Sequence, residues 1–332
     1  MIGKMRAKYI AGKVLQLIAV MMILSIIVFA LARLAPGDPL RSYYGDGVEH
    51  MSTAQKEAAI SRLGMDAPLP EQYVKWLGNA LHGDFGISYK YKQPVTMVIS
   101  RVWTNTLLLG GLAFLLTFLF SFMLGMYTAM REGSLADRII TKVGVVSNSI
   151  PAFFMGLMLI LFFAVKIPLF PTGGAYALGE VDSISSRIYH MILPLTVLVL
   201  EHLWYYTYMV RNKLSEEVRK DYVLMCKAKG LSRKTIMRRH CLRNIMPSMV
   251  TIMAIALPHI LGGTYVVEMV FSYPGLGSLS FESAKYHDYN MLMVLSLLTG
   301  LVVVVFNMIA QIVDEKIDPR TAYERNVPDE LK

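Results

Sequence analysis

VLQLIAVMMILSIIVFALA, residues 14–32, is broken only by Gln16 and Ser25. As a helix this stretch rises about 28 Å, close to the ~30 Å hydrocarbon core of a bilayer. It is therefore read as a membrane span. Similar apolar runs follow at 104–130, 143–165, 191–210, 250–270 and 291–313. Six spans are expected, or fewer if one is re-entrant. Composition agrees: 55% of the 332 residues are hydrophobic and 17% charged, against about 25% charged in soluble domains. Mean hydropathy is +0.46. The expected fold is an all-α polytopic membrane protein. Basic residues followed by an apolar run and Ala30-Leu31-Ala32 imitate a signal peptide, but a signal core is about 7–15 residues long. The run is read as a retained first span.

The net charge of +9 is explained by topology without nucleic acid. Basic residues gather on short cytoplasmic loops. Lys4, Arg6, Lys8 and Lys13 precede the first span, Arg131, Arg138 and Lys142 join the second to the third, and eleven Lys/Arg lie in 211–247. Six alternating spans put all three segments, and both termini, in the cytoplasm. Four regions follow: a cytoplasmic N-terminus with the first span (1–33), an external segment (34–103), a five-span core (104–313) and a cytoplasmic tail (314–332). The external segment's own basic residues do not oppose this, since long loops translocate largely regardless of charge. Helices are expected in it at Thr53–Leu63, opened by Ser52 or Thr53, and at Glu71–Leu81, stopped by Gly83, with room for short strands. Pro151 should kink the third span, and Pro258 with Gly262-Gly263 could break the fifth. Residues 167–189 form a second external loop. Phe271–Gly277 reads as an external turn leading directly to the last span.

The 211–247 loop sets eleven Lys/Arg against three acids between two spans, so it cannot be a free nucleic-acid arm. Leu214, Val218, Tyr222 and Met225 recur at spacings that place them on one helix face. Gly230 sits where a helix favours a left-handed C-terminal residue. Ser232 can cap a second helix running through Ile236, Met237, His240 and Cys241. The hairpin reads as a docking platform for a soluble partner. A basic amphipathic loop lying on anionic lipid is the alternative. Cys226 and Cys241, fifteen residues apart, match no metal or redox motif and read as packing residues.

The loop resembles the signature cytoplasmic loop of ABC-importer permeases, nearest to the branch for oligopeptides, dipeptides and nickel chelates. The matching residues are Arg211, Asp221-Tyr222-Val223, Ala228-Lys229-Gly230-Leu231-Ser232, His240, Leu242-Arg243-Asn244 and Pro247. Leu34-Ala35-Pro36-Gly37-Asp38-Pro39, Trp76-Leu77, Gly83-Asp84-Phe85-Gly86, Asn105-Thr106, Ser149-Ile150-Pro151, Val267-Glu268, Phe271, Pro274-Gly275-Leu276-Gly277 and Asp318-Pro319-Arg320 extend the similarity over nearly the whole chain. Leu224-Met225-Cys226 departs from the family's usual Glu-Ala-Ala, so no charge contact is expected at 224. The resemblance implies a non-catalytic subunit in a bacterial cytoplasmic membrane. It would pair with a second permease, the same chain or a related one. Two ABC ATPase subunits would dock on Asp221–Val223 and Lys227–Ser232, and an external binding protein would deliver a di- or oligopeptide. ATP belongs to the partner subunits: this chain has no phosphate-cradling Gly-x-x-x-x-Gly-Lys-Ser/Thr loop and no cofactor of its own is expected.

Glu201 and His202 fall inside the fourth span and have no counterpart in that resemblance. Ionisable groups at membrane depth cost about 2.5–3.5 kcal/mol on insertion scales and usually face a cavity or a partner. They are candidates for the cargo path or for a structural pair. Glu268 is a candidate gate, or an anchor for the turn at Pro274, Gly275 and Gly277. The 23 methionines are scattered and read as packing. No catalytic set and no metal-ligand spacing stands out. Two other transport readings stay open: a nickel- or metal-chelate importer, and an ion-coupled carrier using Glu201 and a broken fifth span.

Overall fold

The computed structural model describes residues 2–34, 40, 44–63 and 66–317. The exit motif at 35–39, the tail 318–332 and its Asp318-Pro319-Arg320 lie outside the described residues. Eleven helices are named here: α1 Ile2–Leu34, α2 Thr53–Leu63, α3 Leu69–Leu81, α4 Val95–Met130, α5 Leu135–Asn148, α6 Ala152–Ile160, α7 Ile184–Glu217, α8 Asp221–Ala228, α9 Arg233–Val270, α10 Leu276–Lys285 and α11 Tyr289–Ile317. Five of them (α1, α4, α7, α9 and α11) are long and apolar enough to cross a membrane, and α5 with α6 can make a sixth crossing. Two compact units divide the chain, Met1–Thr106 with Pro274–Val305 and Leu107–Tyr273 with Phe306–Lys332.

In the first unit α1 buries little but Ser25 and Phe29. Ser25 Oγ lies 2.8 Å from the Tyr73 hydroxyl of α3, and Phe29, Tyr73 and Trp76 form an aromatic cluster. Helix α2 opens on a reciprocal cap, Ser52 N–H to Gln55 Oε1 and Gln55 N–H to Ser52 Oγ, which satisfies two end donors at once. Helix α3 stops at Gly83, whose N–H reaches the Ala80 carbonyl while Asp84 N–H reaches Asn79. No strand forms among the described residues. A lone antiparallel bridge pairs Ile87 with Pro94, and the rest of the segment is helix or turn.

The turn expected to lead straight into the last span instead opens a helix, α10. Val95, Val98 and Ile99 of α4 pack with Leu279 of α10 and with Met291 and Leu295 of α11. Asn105 Nδ2 donates to the Pro274 carbonyl at 2.8 Å, and Leu276 N–H donates to Thr106 Oγ1 at 2.8 Å. Lys90 Nζ and the Tyr91 hydroxyl both donate to Glu282, and Ser88 Oγ donates to Asp288. Burial pushes the Glu282 carboxyl up, but its bonds from Lys90 and Tyr91 prevail and hold it below the ordinary 4.5. A carboxyl lowered on folding stabilises above its unfolded value, and that contribution fades as pH falls through the lower folded one. Hydrogen exchange at 88–91 is therefore expected to accelerate as pH drops below 4.5, after correction for intrinsic rates. Glu282→Gln should abolish that acid-dependent rise.

In the second unit, Leu109 and Phe118 of α4 pack with Leu198 and Tyr206 of α7, Ile260 of α9, and Phe271. The third crossing is not a kinked rod. α5 and the helix Ala152–Lys166, which ends in a π turn, meet at 98°. Ile150 precedes a proline, which disfavours the α conformation there, and Ser149 closes α5 before Pro151 opens α6. The expected break in the fifth span does not occur. Helix α9 runs unbroken through Pro247 and Pro258, starting at Arg233 rather than near 250. Gly263 instead admits a neighbour: a Cβ there would lie 3.3 Å from His202 Cε1. At the Val270 end, Gly174 N–H donates to the Phe271 carbonyl at 2.9 Å.

Candidate functional site

Helix α7 ends at Glu217, and Lys220 is extended (φ −75, ψ 151) before α8 begins at Asp221. Leu214, Val218, Tyr222 and Met225 therefore do not share one helix face, contrary to their spacing. The inward face of α8 is Val223 and Cys226, packed with Ile236, Met237, Cys241 and Ile245 of α9. Met225 and Leu224 point away and are 57% and 61% exposed. Both cysteines are buried thiols.

The reversal at Lys220 is held by Glu217, whose side chain is only 7% exposed. Its carboxylate accepts from Lys220 Nζ at 2.6 Å, the Tyr222 hydroxyl at 3.0 Å and Asn244 Nδ2 at 3.1 Å. Burial, then bonds to Cys241 and Glu217, pushes the Tyr222 hydroxyl well above its usual range, so it remains a neutral donor. Helix α8 closes with two bonds, Gly230 N–H to Lys227 and Leu231 N–H to Cys226. Gly230 has φ +75, the left-handed residue this paired closure requires. Thr235 N–H then donates to Ser232 Oγ, which starts α9. A π turn at Ile236–Cys241 carries the helix onward.

A second tie steadies the same end of the unit. Arg211 Nε and Nη2 donate to Asp137 Oδ1 and Oδ2 at 2.7 and 2.8 Å. Asp137 also accepts from Gly133 N–H at 3.0 Å, fixing the start of α5. Beside it, α4, α5 and α7 enclose a cleft of about 310 Å³ lined by Thr141, Asn148, Trp204 and Tyr208.

What faces solvent on the hairpin is Asp221, Leu224, Met225 and the run Lys227, Ala228, Lys229, Gly230, Leu231, Ser232. One side of α8 is sealed into the bundle, and the other offers bare apolar side chains ringed by lysines. Glu201 and His202 sit far from it, in mid-α7 beside His259 of α9. Glu268 is fully buried, and its carbonyl accepts from Tyr273 N–H at 2.8 Å. Pro274, Gly275 and Gly277 lie in the other unit. No group of three or more His, Cys, Asp or Glu is placed to hold a metal among the described residues. Asp137 and Glu217 were not singled out from the sequence: their partners lie 74 residues away for Asp137, and up to 27 away for Glu217.

Residues 121–323 match the family described as binding-protein-dependent transport system inner membrane component, and 6–110 match the N-terminal part of such components. The chain is 35% identical over 318 residues to the oligopeptide transport system permease protein AppB of Bacillus subtilis, covering 96% of this chain and 100% of that one. It is 32% identical to the probable peptide ABC transporter permease protein y4tP of Sinorhizobium fredii, covering 95% and 99%. A chain of the inward-facing MetNI methionine ABC transporter shares the fold with a TM-score of 0.55 at 16% identity, over 67% of this chain and 97% of that one. With both family matches and the relatives spanning nearly its full length, the chain belongs to the inner membrane components of binding-protein-dependent transport systems, the multi-pass permeases of ABC importers.

Proposed function

We propose that this chain is the non-catalytic permease subunit of an ATP-driven importer and forms half of the path for di- or oligopeptides handed over by an external binding protein. Separate ATPase subunits dock on the 221–232 hairpin, which faces the cytoplasm together with both termini. A second permease, a copy or a related chain, completes the path. The names of the relatives support the cargo class, and the positive-inside distribution supports the orientation.

One observation carries the docking reading. Leu224 and Met225 stand exposed on a helix whose opposite face is packed into the bundle, on a turn reinforced by Glu217 and Gly230. A rigid, desolvatable apolar knob with a basic rim is what a groove on a soluble partner can grip. Leu224→Asp with Met225→Asp removes the knob without touching the buried face. Co-purification of the ATPase subunits is expected to fall by about tenfold or more, as for loss of an interface hot spot, with the unfolding temperature of the permease unchanged. Full retention of the ATPase by this variant ends the docking reading.

A further inference from the structure

At mid-membrane, a half-buried carboxyl, Glu201, and an exposed imidazole, His259, lie on neighbouring helices, and the hairpin does not account for them. Glu201 sits at the centre of the 191–210 apolar run on α7, and His259 at the centre of the 250–270 run on α9. Glu201 is about 26 Å of helix from Ile184, the start of α7, and His259 about 16 Å from Val270, the end of α9. Depth therefore rules out escape of either side chain to an interface.

Between them His202 is buried. Its Nδ1 lies 3.0 Å from the Leu198 carbonyl, which only a protonated Nδ1 can satisfy. Its ring packs edge-on to His259 with centroids 5.7 Å apart, and Gly263 gives it room. His202 Nδ1 and Glu201 Oε2 are 3.9 Å apart, too long for a hydrogen bond. Glu201 Oε2 is a buried atom that accepts no hydrogen bond among the described residues, although a third of the side chain remains exposed.

The surrounding surface mixes polar and apolar groups. On α7 the exposed face continues from Glu201 through Tyr205 and Tyr208 at helical spacing. On α9 it runs through Ile255, His259, Gly262 and Val266. A carboxyl group and an imidazole at mid-membrane, with the Tyr205 phenol one turn on, belong against water or a polar solute.

We propose that Glu201, flanked by His259 and Tyr205, is a transient site for the cationic nitrogen of the cargo as it passes the middle of the membrane. The geometry supplies what such a nitrogen needs. Glu201 offers a carboxyl group a third of whose side chain is open, Tyr205, one helical turn on, an exposed aromatic ring for a cation, and His259 an exposed imidazole beside them. The inference rests on the peptide-permease reading above and deepens it by naming the group recognised. The nitrogen is either the peptide's own α-ammonium or a lysine side chain, and the test separates these sources.

The complete importer is reconstituted in vesicles with wild-type, Glu201→Gln and Glu201→Asp chains. Uptake of trialanine, N-acetyl-trialanine and N-acetyl-Ala-Lys-Ala is measured, and the variant-to-wild-type ratio is taken for each peptide, which cancels selection by the binding protein. Loss of one charge-assisted bond should lower trialanine uptake about tenfold in Glu201→Gln. N-acetyl-trialanine should be unaffected, and Glu201→Asp should recover most of the loss. A matching loss for N-acetyl-Ala-Lys-Ala shows that a side-chain ammonium is also received. An equal loss for all three peptides makes Glu201 a packing residue and overturns the proposal, as does no loss for any. If wild-type vesicles accumulate none of the peptides, the peptide-permease reading fails instead.

Discussion

Arg211→Ala is expected to destabilise the permease by about 3 kcal/mol, the lower end of the range for stranding one member of a buried ion pair. The lower end applies because Arg211 keeps 20% of its side chain exposed, whereas Asp137 keeps 5%. Removing the guanidinium leaves a carboxylate sealed between α5 and α7 with only Gly133 N–H to satisfy it. Asp137→Asn combined with Arg211→Met removes the charge and refills the volume, so this double variant should recover more than half of the loss. Thermal unfolding of the purified protein in detergent measures both. If the double variant is no more stable than the single one, the penalty does not come from a stranded charge.

Glu217→Ala should have the second largest effect, and a local one. It orphans Asn244 Nδ2, leaves the Tyr222 hydroxyl to its 3.5 Å contact with Cys241 Sγ and frees Lys220, so the reversal between α7 and α8 loses its anchor. Hydrogen bonds to a charged group contribute about 1.5–3 kcal/mol each, and water will replace part of this at the half-open rim. A local loss of about 2–3 kcal/mol should appear as roughly 30- to 150-fold faster hydrogen exchange over 218–231, with little change in the middle of α4. ATPase docking should fall in parallel. Uniform acceleration along the whole chain would mean that Glu217 supports the bundle rather than the hairpin.

The spans were legible because burial in lipid leaves long apolar runs, a signal carried by each segment alone. Gly230 was legible for a similar reason: the left-handed closure of α8 is a local demand that one residue type meets. Other features depend on partners remote in sequence. The reversal at Lys220 carries no Gly or Pro and is enforced by Glu217 reaching forward to Asn244, so spacing alone joined two helices into one. The Asp137–Arg211 pair is invisible for the same reason. Pro151 announced a disturbance but not its size, since the 98° angle is set by how α5 and α6 each pack. Pro258 and the paired glycines suggested a broken helix. The structure keeps it whole and spends Gly263 on the close approach of His202. Helix α10 went unread because ten residues with three Ser and a Gly, next to a Pro-Gly turn, look like more of that turn.

The continuity of Arg233–Val270 has a mechanical consequence. Its 38 residues make a strut of about 57 Å, with Ser232 at one tip and the Phe271 carbonyl, bonded to Gly174, at the other. The helix has no break between them, and the π turn at Ile236–Cys241 and the two prolines, Pro247 and Pro258, are the places where it can bend. A tilt of a few degrees imposed at the Ser232 tip moves the far tip by several ångströms, enough to shear a single backbone hydrogen bond there. Leverage of this kind lets a small motion on one side of a membrane be felt on the other.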